Sequence, residues 1–160
     1  MLSGCQMSAQ EKWLKEHYDK FTVMDKWSQN ENVNQNIIKS FLIEKNGSRK
    51  LVQFLEVQGS IDFISLVTVI QMDEGIIEGI YIIEENETPD YGGYIKEDWY
   101  LGRYIGKSID NTLKTVVMMD KHPNEVVAIT GATESSDAIT TAVNYSIENI
   151  HYLQLKKGES

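Results

Sequence analysis

Across 160 residues the chain has one cysteine, two prolines and three histidines. A lone thiol, Cys5, cannot close an internal disulfide, and His17, His122 and His151 stand at no metal-ligand spacing from it or from each other, which excludes a structural zinc site. Long apolar runs are missing too: the longest, Ile64 to Ile70, is seven residues, against the roughly 20 that a membrane-spanning helix needs. Basic residues are scarce, with 15 Lys and Arg against 24 Asp and Glu for a net charge of -9, and no stretch of five or six like charges occurs. Nucleic acid is therefore not an expected partner, because gripping phosphate backbones takes a clustered basic face. What is present suits a single core: 41% of residues are hydrophobic, enough for one domain and too few for a second.

Hydrophobic spacing gives an outline. Trp13, Leu14, His17/Tyr18 and Phe21 recur at helical intervals, which predicts an amphipathic helix from Gln10 to Phe21, followed by an Asn-rich loop from Ser28 to Asn36. Phe41 to Ile43 and Leu51 to Val57 flank Asn46-Gly47, a pair that tolerates positive φ, and so read as a hairpin. Phe63 to Met72 and Ile76 to Ile83 make a second hairpin around Asp73-Glu74-Gly75. A break from Glu84 to Gly93 precedes a short helix from Lys96 to Tyr104, and Leu113 to Met119 with Glu125 to Ile129 predicts a third hairpin around His122-Pro123-Asn124. Ile139, Ala142, Val143, Ile147 and Ile150 then form the stripe of a helix running from Ser136 to Ile150. Hairpins with intervening helices, and no strand-helix-strand alternation, favour an α+β fold of antiparallel hairpins with flanking helices over a doubly wound α/β fold. The expected organisation is a tail over residues 1–9, an N-terminal helix and first hairpin over 10–58, and a core over 59–160, all within one compact domain.

Chemistry concentrates where a strand runs into the last helix, at Thr130-Gly131-Ala132-Thr133-Glu134-Ser135-Ser136. Gly131 and Ala132 keep side chains out of the way, and free N–H groups with the dipole of a helix start attract a phosphate. Ser135 and Ser136 offer hydroxyls for the helix cap or the same phosphate, and Thr133 offers one that can be esterified. On spacing alone the segment is equally an ordinary helix start, and the function stays undecided.

The run Ala128 to Val143, AITGATESSDAITTAV, resembles the flavinylation segment of the FMN-binding domain family. That family includes the C subunit of the sodium-pumping NADH:quinone reductase and the G subunit of the Rnf electron-transport complex. A second match precedes it: Gly75 to Pro89 is similar to the family's strand and Glu-Thr-Pro-Gly loop, and Gly92-Gly93, Trp99 and Gly106-Lys107 follow in order. The likeness runs from about Gly59 to Ile150. It implies FMN as cofactor, joined through its phosphate to Thr133 by a separate Mg2+-dependent flavin transferase that uses FAD. It also implies Thr130, Gly131, Ala132, Ser135 and Ser136 around the phosphate, and Glu87, Thr88, Pro89 and Gly92 beside the ring, with Tyr91 or Trp99 stacked on it. Two positions depart from the pattern. Val127 stands where the family has an acidic residue that belongs to the transferase's signal, and Asp90 where it has glycine after the proline.

The expected function is an electron carrier or redox-complex subunit rather than a stand-alone enzyme. Flavin supplies the redox chemistry, and the protein fixes the ring and tunes it. The alternatives are a module that binds or senses FMN reversibly and a structural subunit that has lost flavin. Leu2-Ser3-Gly4-Cys5 resembles the lipobox of bacterial lipoproteins, which implies a lipid on Cys5 and a place on the outer face of the bacterial cytoplasmic membrane, beside redox partner proteins or a membrane electron-transport complex. The other reading of Cys5 is an ordinary cysteine near a terminus.

Overall fold

A computed structural model describes residues 6–158; Cys5 lies outside them. The chain opens on helix α1 (Ala9–His17), started by a reciprocal cap in which Glu11 N–H donates to Ser8 Oγ and Ser8 N–H to the Glu11 carboxylate, both at 3.1 Å. Five strands follow: β1 (Thr22–Ser28), β2 (Ile37–Lys45), β3 (Ser48–Gln58), β4 (Phe63–Gln71) and β5 (Ile76–Glu84). They form one antiparallel meander in the order β1-β2-β3-β4-β5. Asn46 (φ 51°) and Gly47 (φ 77°) turn β2 into β3, and Gly75 (φ 68°) helps turn β4 into β5, so the first two expected hairpins stand.

The sheet is covered on both faces, and strand alternation sorts the side chains. Phe41, Ile43, Val52, Phe54, Val67 and Val69 point to the face under α1, where Leu14 is buried among them. Burying Leu14 contributes about 2 kcal/mol. On the other face Leu51, Leu55, Leu66 and Ile70 meet Ile139, Val143, Ile147 and Ile150 of helix α3 (Thr133–Gly158). A polar row crosses that apolar layer, since Ser40 pairs with Gln53 and Gln53 with Thr68 in register. Asn149 of α3 closes it, donating to Asn32 Oδ1 (2.9 Å) and Gln53 Oε1 (2.8 Å) and accepting Val33 N–H (2.8 Å), while Thr68 and Ser146 share a hydroxyl contact at 2.7 Å. Each partner answers another, as burial requires.

Between β5 and α3 lie a 3-10 turn (Gly92–Lys96), the short helix α2 (Asp98–Leu101), β6 (Lys114–Val116) and β7 (Glu125–Val127). Four expectations need correction. The first helix ends at His17, four residues short of Phe21, and strand β1, mostly exposed, begins at Thr22. The helix expected from Lys96 to Tyr104 is shortened to α2, with Lys96 ending the 3-10 turn and Gly102 to Tyr104 continuing as a turn. The last helix begins at Thr133 and extends to Gly158. The third hairpin does not form, because β6 and β7 pair in parallel. Asn144 of α3 fixes the direction of β6 by gripping Leu113 at both its N–H (2.7 Å) and its carbonyl (2.9 Å). Glu125 then folds the return into its own turn, accepting Lys121 N–H (2.7 Å) and His122 N–H (3.2 Å), so the chain re-enters beside β6 heading the same way.

Candidate functional site

The start of α3 differs from that of α1. Ala132, at the cap position, has no side-chain oxygen, and the first backbone bond of the helix runs from Ser136 N–H to the Ala132 carbonyl at 3.0 Å. The N–H groups of Thr133, Glu134 and Ser135 therefore have no acceptor within the helix, and the positive end of a 26-residue dipole lies beside them. These orphan donors open on a cleft of about 360 Å³. One wall is the turn Gly131 to Ser135; the other is Glu87, Thr88, Tyr91 and Gly92, with Ser60 at the edge. Two segments some forty residues apart in the chain thus face each other.

Close backbone approach shapes both walls. Gly131 has φ 80°, and a Cβ there would stand 3.2 Å from the Tyr91 ring, so that ring lies against the turn. At Gly92 a Cβ would come within 2.5 Å of Ser135 Oγ and 2.9 Å of Glu87 Cβ, which only glycine avoids. Asp90 takes φ 63°, the left-handed conformation that glycine would otherwise fill, and Asp is among the few side chains that accept it. Its carboxylate receives the Tyr94 hydroxyl at 3.3 Å, and that charge, with some burial, holds the Tyr94 phenol above its usual range.

Glu87 sits at the junction of three segments. Its buried carboxylate accepts Ser60 N–H (3.1 Å), Ile61 N–H (3.2 Å) and the Ser135 hydroxyl. It braces the 59–61 loop and the 88–92 loop against the helix start. Ser136 is likewise turned inward: its hydroxyl accepts Ile129 N–H and donates to the Ala132 carbonyl, both at 2.9 Å, and it is fully buried. Thr133 is exposed on the cleft, and so is Thr88. Thr130 and Pro89 are exposed but are not among the residues lining it.

Trp99 does not line the cleft either. It packs against the Arg103 guanidinium at 5.1 Å and Tyr94 at 6.0 Å. Arg103 in turn donates to the Val127 carbonyl at 2.6 Å, clamping the strand that leads to the turn. Ser60 and Glu134, joined by a 3.0 Å hydrogen bond across the cleft's edge, escaped the sequence reading because a lone serine after a glycine and an acid in a helix's first turn are ordinary there. Among the described residues that line the cleft none is Lys or Arg, while Glu87 and Glu134 both are acidic.

Fit to a flavin mononucleotide is good at the phosphate end. Backbone donors without an acceptor in their helix, a small-residue approach and an exposed threonine hydroxyl are what a phosphate linked to that oxygen requires.

Comparison with known proteins agrees with this geometry. The model of a family described as the FMN-binding domain matches residues 59–148. The G subunit of the Na(+)-translocating ferredoxin:NAD(+) oxidoreductase complex of Acetobacterium woodii is 42% identical over 76 residues, 47% of this chain and 36% of that protein. The G subunit of the proton-translocating complex of Clostridium ljungdahlii is 30% identical over 92 residues, 58% of this chain and 46% of its own length. The chain therefore spans less than half the length of these relatives. Two solved structures share the fold. NqrC of Shewanella oneidensis does so at TM-score 0.57 and 19% identity, over 74% of this chain and 61% of that one. The Na(+)-translocating NADH-quinone reductase of Parabacteroides distasonis supplies the other, its C subunit, at TM-score 0.61 and 15% identity over 87% and 85%.

Proposed function

The chain belongs to the FMN-binding domain family, and on that premise we propose that it carries FMN as a phosphoester on Thr133 and passes electrons between redox partners of a membrane complex. The supporting observation is the placement of Thr133 as the first residue of an uncapped helix, on a cleft whose far wall is the Thr88 to Gly92 loop.

Charge favours the covalent form over reversible binding. A free FMN phosphate brings a charge of about -1.5 to -2 at neutral pH, and the cleft meets it with two carboxylates and no cation among the described lining residues. Esterification leaves one ionisable oxygen fewer, so the anion that the helix start must hold is closer to -1. Attachment forms a bond from Thr133 Oγ to the flavin-side phosphorus of FAD; AMP leaves and the hydroxyl proton is lost. A flavin transferase supplies that step.

Once bound, FMN supplies two-electron and one-electron redox chemistry. The residues of the chain do the holding. The N–H groups of Thr133, Glu134 and Ser135 receive the phosphate, and Gly131 lets it approach the backbone. Glu87 keeps the two walls at a fixed separation, and the Tyr91 ring lies against Gly131. No helix among the described residues is long and apolar enough to cross a membrane. The proposed attachment to the outer membrane face is a lipid on Cys5.

The experiment is coexpression with a flavin transferase, followed by intact mass and fluorescence of the denatured band. The expected result is a gain of one FMN less one water in the native sequence and none in Thr133→Ala. A yellow native protein whose denatured band is dark would instead establish reversible binding, and a colourless one would reject flavin altogether.

A further inference from the structure

Large apolar side chains are exposed on the cleft wall and on the segments that lead to it. Ile61 is 58% exposed next to Ser60, Phe63 is 56% exposed at the start of β4, and Tyr91 is 55% exposed over Gly131. Met118 is 90% exposed, in the stretch that leaves β6 at the end where parallel β7 runs into the attachment turn. Scattered single exposures need no explanation, but several on the segments that border one opening point to a contact surface. None of the four packs into either core cluster.

The charges beside Ile61, Phe63 and Tyr91 have one sign. Asp62 lies between Ile61 and Phe63, Asp90 precedes Tyr91, and Glu134 follows Thr133, all exposed. Their hydrogen-bond donors are the neutral groups of Asn86, Tyr94 and Ser60 and the Phe63 N–H. Among the described residues none of the three joins an ion pair.

Resting on the function proposed above, we infer that this face docks a redox protein that presents an apolar spot ringed by lysines or arginines. Electron-transfer encounters use small interfaces, below about 1,200 Å², in which charge steers approach and a few apolar contacts hold the pair briefly. Unlike charges raise the encounter rate by roughly 10- to 1,000-fold at low salt. A thioether such as that of Met118 adapts to more than one partner contour.

Two measurements test this, and the first needs no flavin. The labelled chain is titrated, at about 10 mM salt, with a basic c-type cytochrome whose haem edge is ringed by lysines and separately with an acidic [2Fe-2S] ferredoxin, with backbone NMR as the readout. Shifts confined to Ile61 to Phe63, Asp90, Tyr91 and Val117 to Met119, seen with the cytochrome alone and abolished at about 0.2 M salt, are expected. Shifts elsewhere on the surface, or equal binding of the ferredoxin, overturn the inference.

In the second measurement, protein shown by mass to carry flavin is reduced and mixed with ferric cytochrome. Two haem irons each gain one electron per reduced flavin, whose protons go to solvent. The rate should fall about tenfold between roughly 10 and 200 mM salt. Asp62→Asn should slow it several-fold at low salt, and Met118→Ser several-fold at all salts. Transfer to a small neutral quinone should be unchanged in both, since neither residue lines the cleft. Full cytochrome rates in both variants overturn the docking surface. A chain that acquires no flavin refutes the proposed function, and the shift map then decides the docking surface alone.

Discussion

Replacing Glu87 by alanine should loosen the cleft and cost the domain about 3–5 kcal/mol. The Ser135 hydroxyl is only 2% exposed and donates to the Glu87 carboxylate, and a buried hydroxyl left without an acceptor costs about 1–3 kcal/mol. The N–H groups of Ser60 and Ile61 lose charge-assisted bonds at the surface, where water replaces them, at about 1 kcal/mol each. The carboxylate also fills space that Gly59 and Gly92 leave open, and its removal adds a small void term. Against a total stability of about 5–15 kcal/mol this is a large fraction. Urea unfolding gives the difference directly, and amide exchange at Ser60 and Ile61 shows whether their loop has come free of the helix. A change under about 1 kcal/mol, with both amides as protected as before, would show that Glu87 braces nothing.

Other expectations test neighbouring contacts. Gly92→Ala should cost about 1–3 kcal/mol and lower flavin attachment, because its Cβ would stand 2.5 Å from Ser135 Oγ; attachment at the native level would refute the close approach. Asn149→Leu removes the donor to Asn32 and Gln53 and the acceptor of Val33 N–H, and should cost about 3 kcal/mol in urea unfolding. Glu125 is held below the usual carboxylate range, first by Lys121 N–H and also by His122 N–H. Because the folded form titrates lower, its contribution to holding the 117–124 loop is present above the ordinary carboxylate pKa and is lost as pH falls through the lowered one. Titration by NMR should find that lowered midpoint in Glu125 and the same midpoint in the Lys121 and His122 amides.

How much the sequence disclosed depended on how locally each feature is encoded. Asn46-Gly47 carries its turn in two residues, and the α3 stripe from Ile139 to Ile150 repeats at one period, so both were legible. Strand β1 was not, because it is an edge strand whose residues are mostly exposed. The direction of β6, against which β7 pairs in parallel, depends on Asn144 gripping Leu113 from 31 residues away, a contact no local pattern announces. At the site the two segments were legible as motifs, and the cleft joins them. The inward turn of Glu87 and Ser136 was hidden, since a motif names a residue without saying which way its side chain points.

The polar row under α3 reaches further than its own neighbourhood. Asn149 meets its partners 16 residues beyond Thr133, about 24 Å along the helix at 1.5 Å per residue. A stiff rod notched at one end has the depth of its tip set by the notch. Sliding or rotating α3 by a single residue would pull Asn149 off every partner at once, so the sheet dictates how far the Thr133 oxygen projects. Substitutions at Asn32 or Ser40, in the opposite half of the molecule, should therefore alter the yield of modified threonine without touching anything near it.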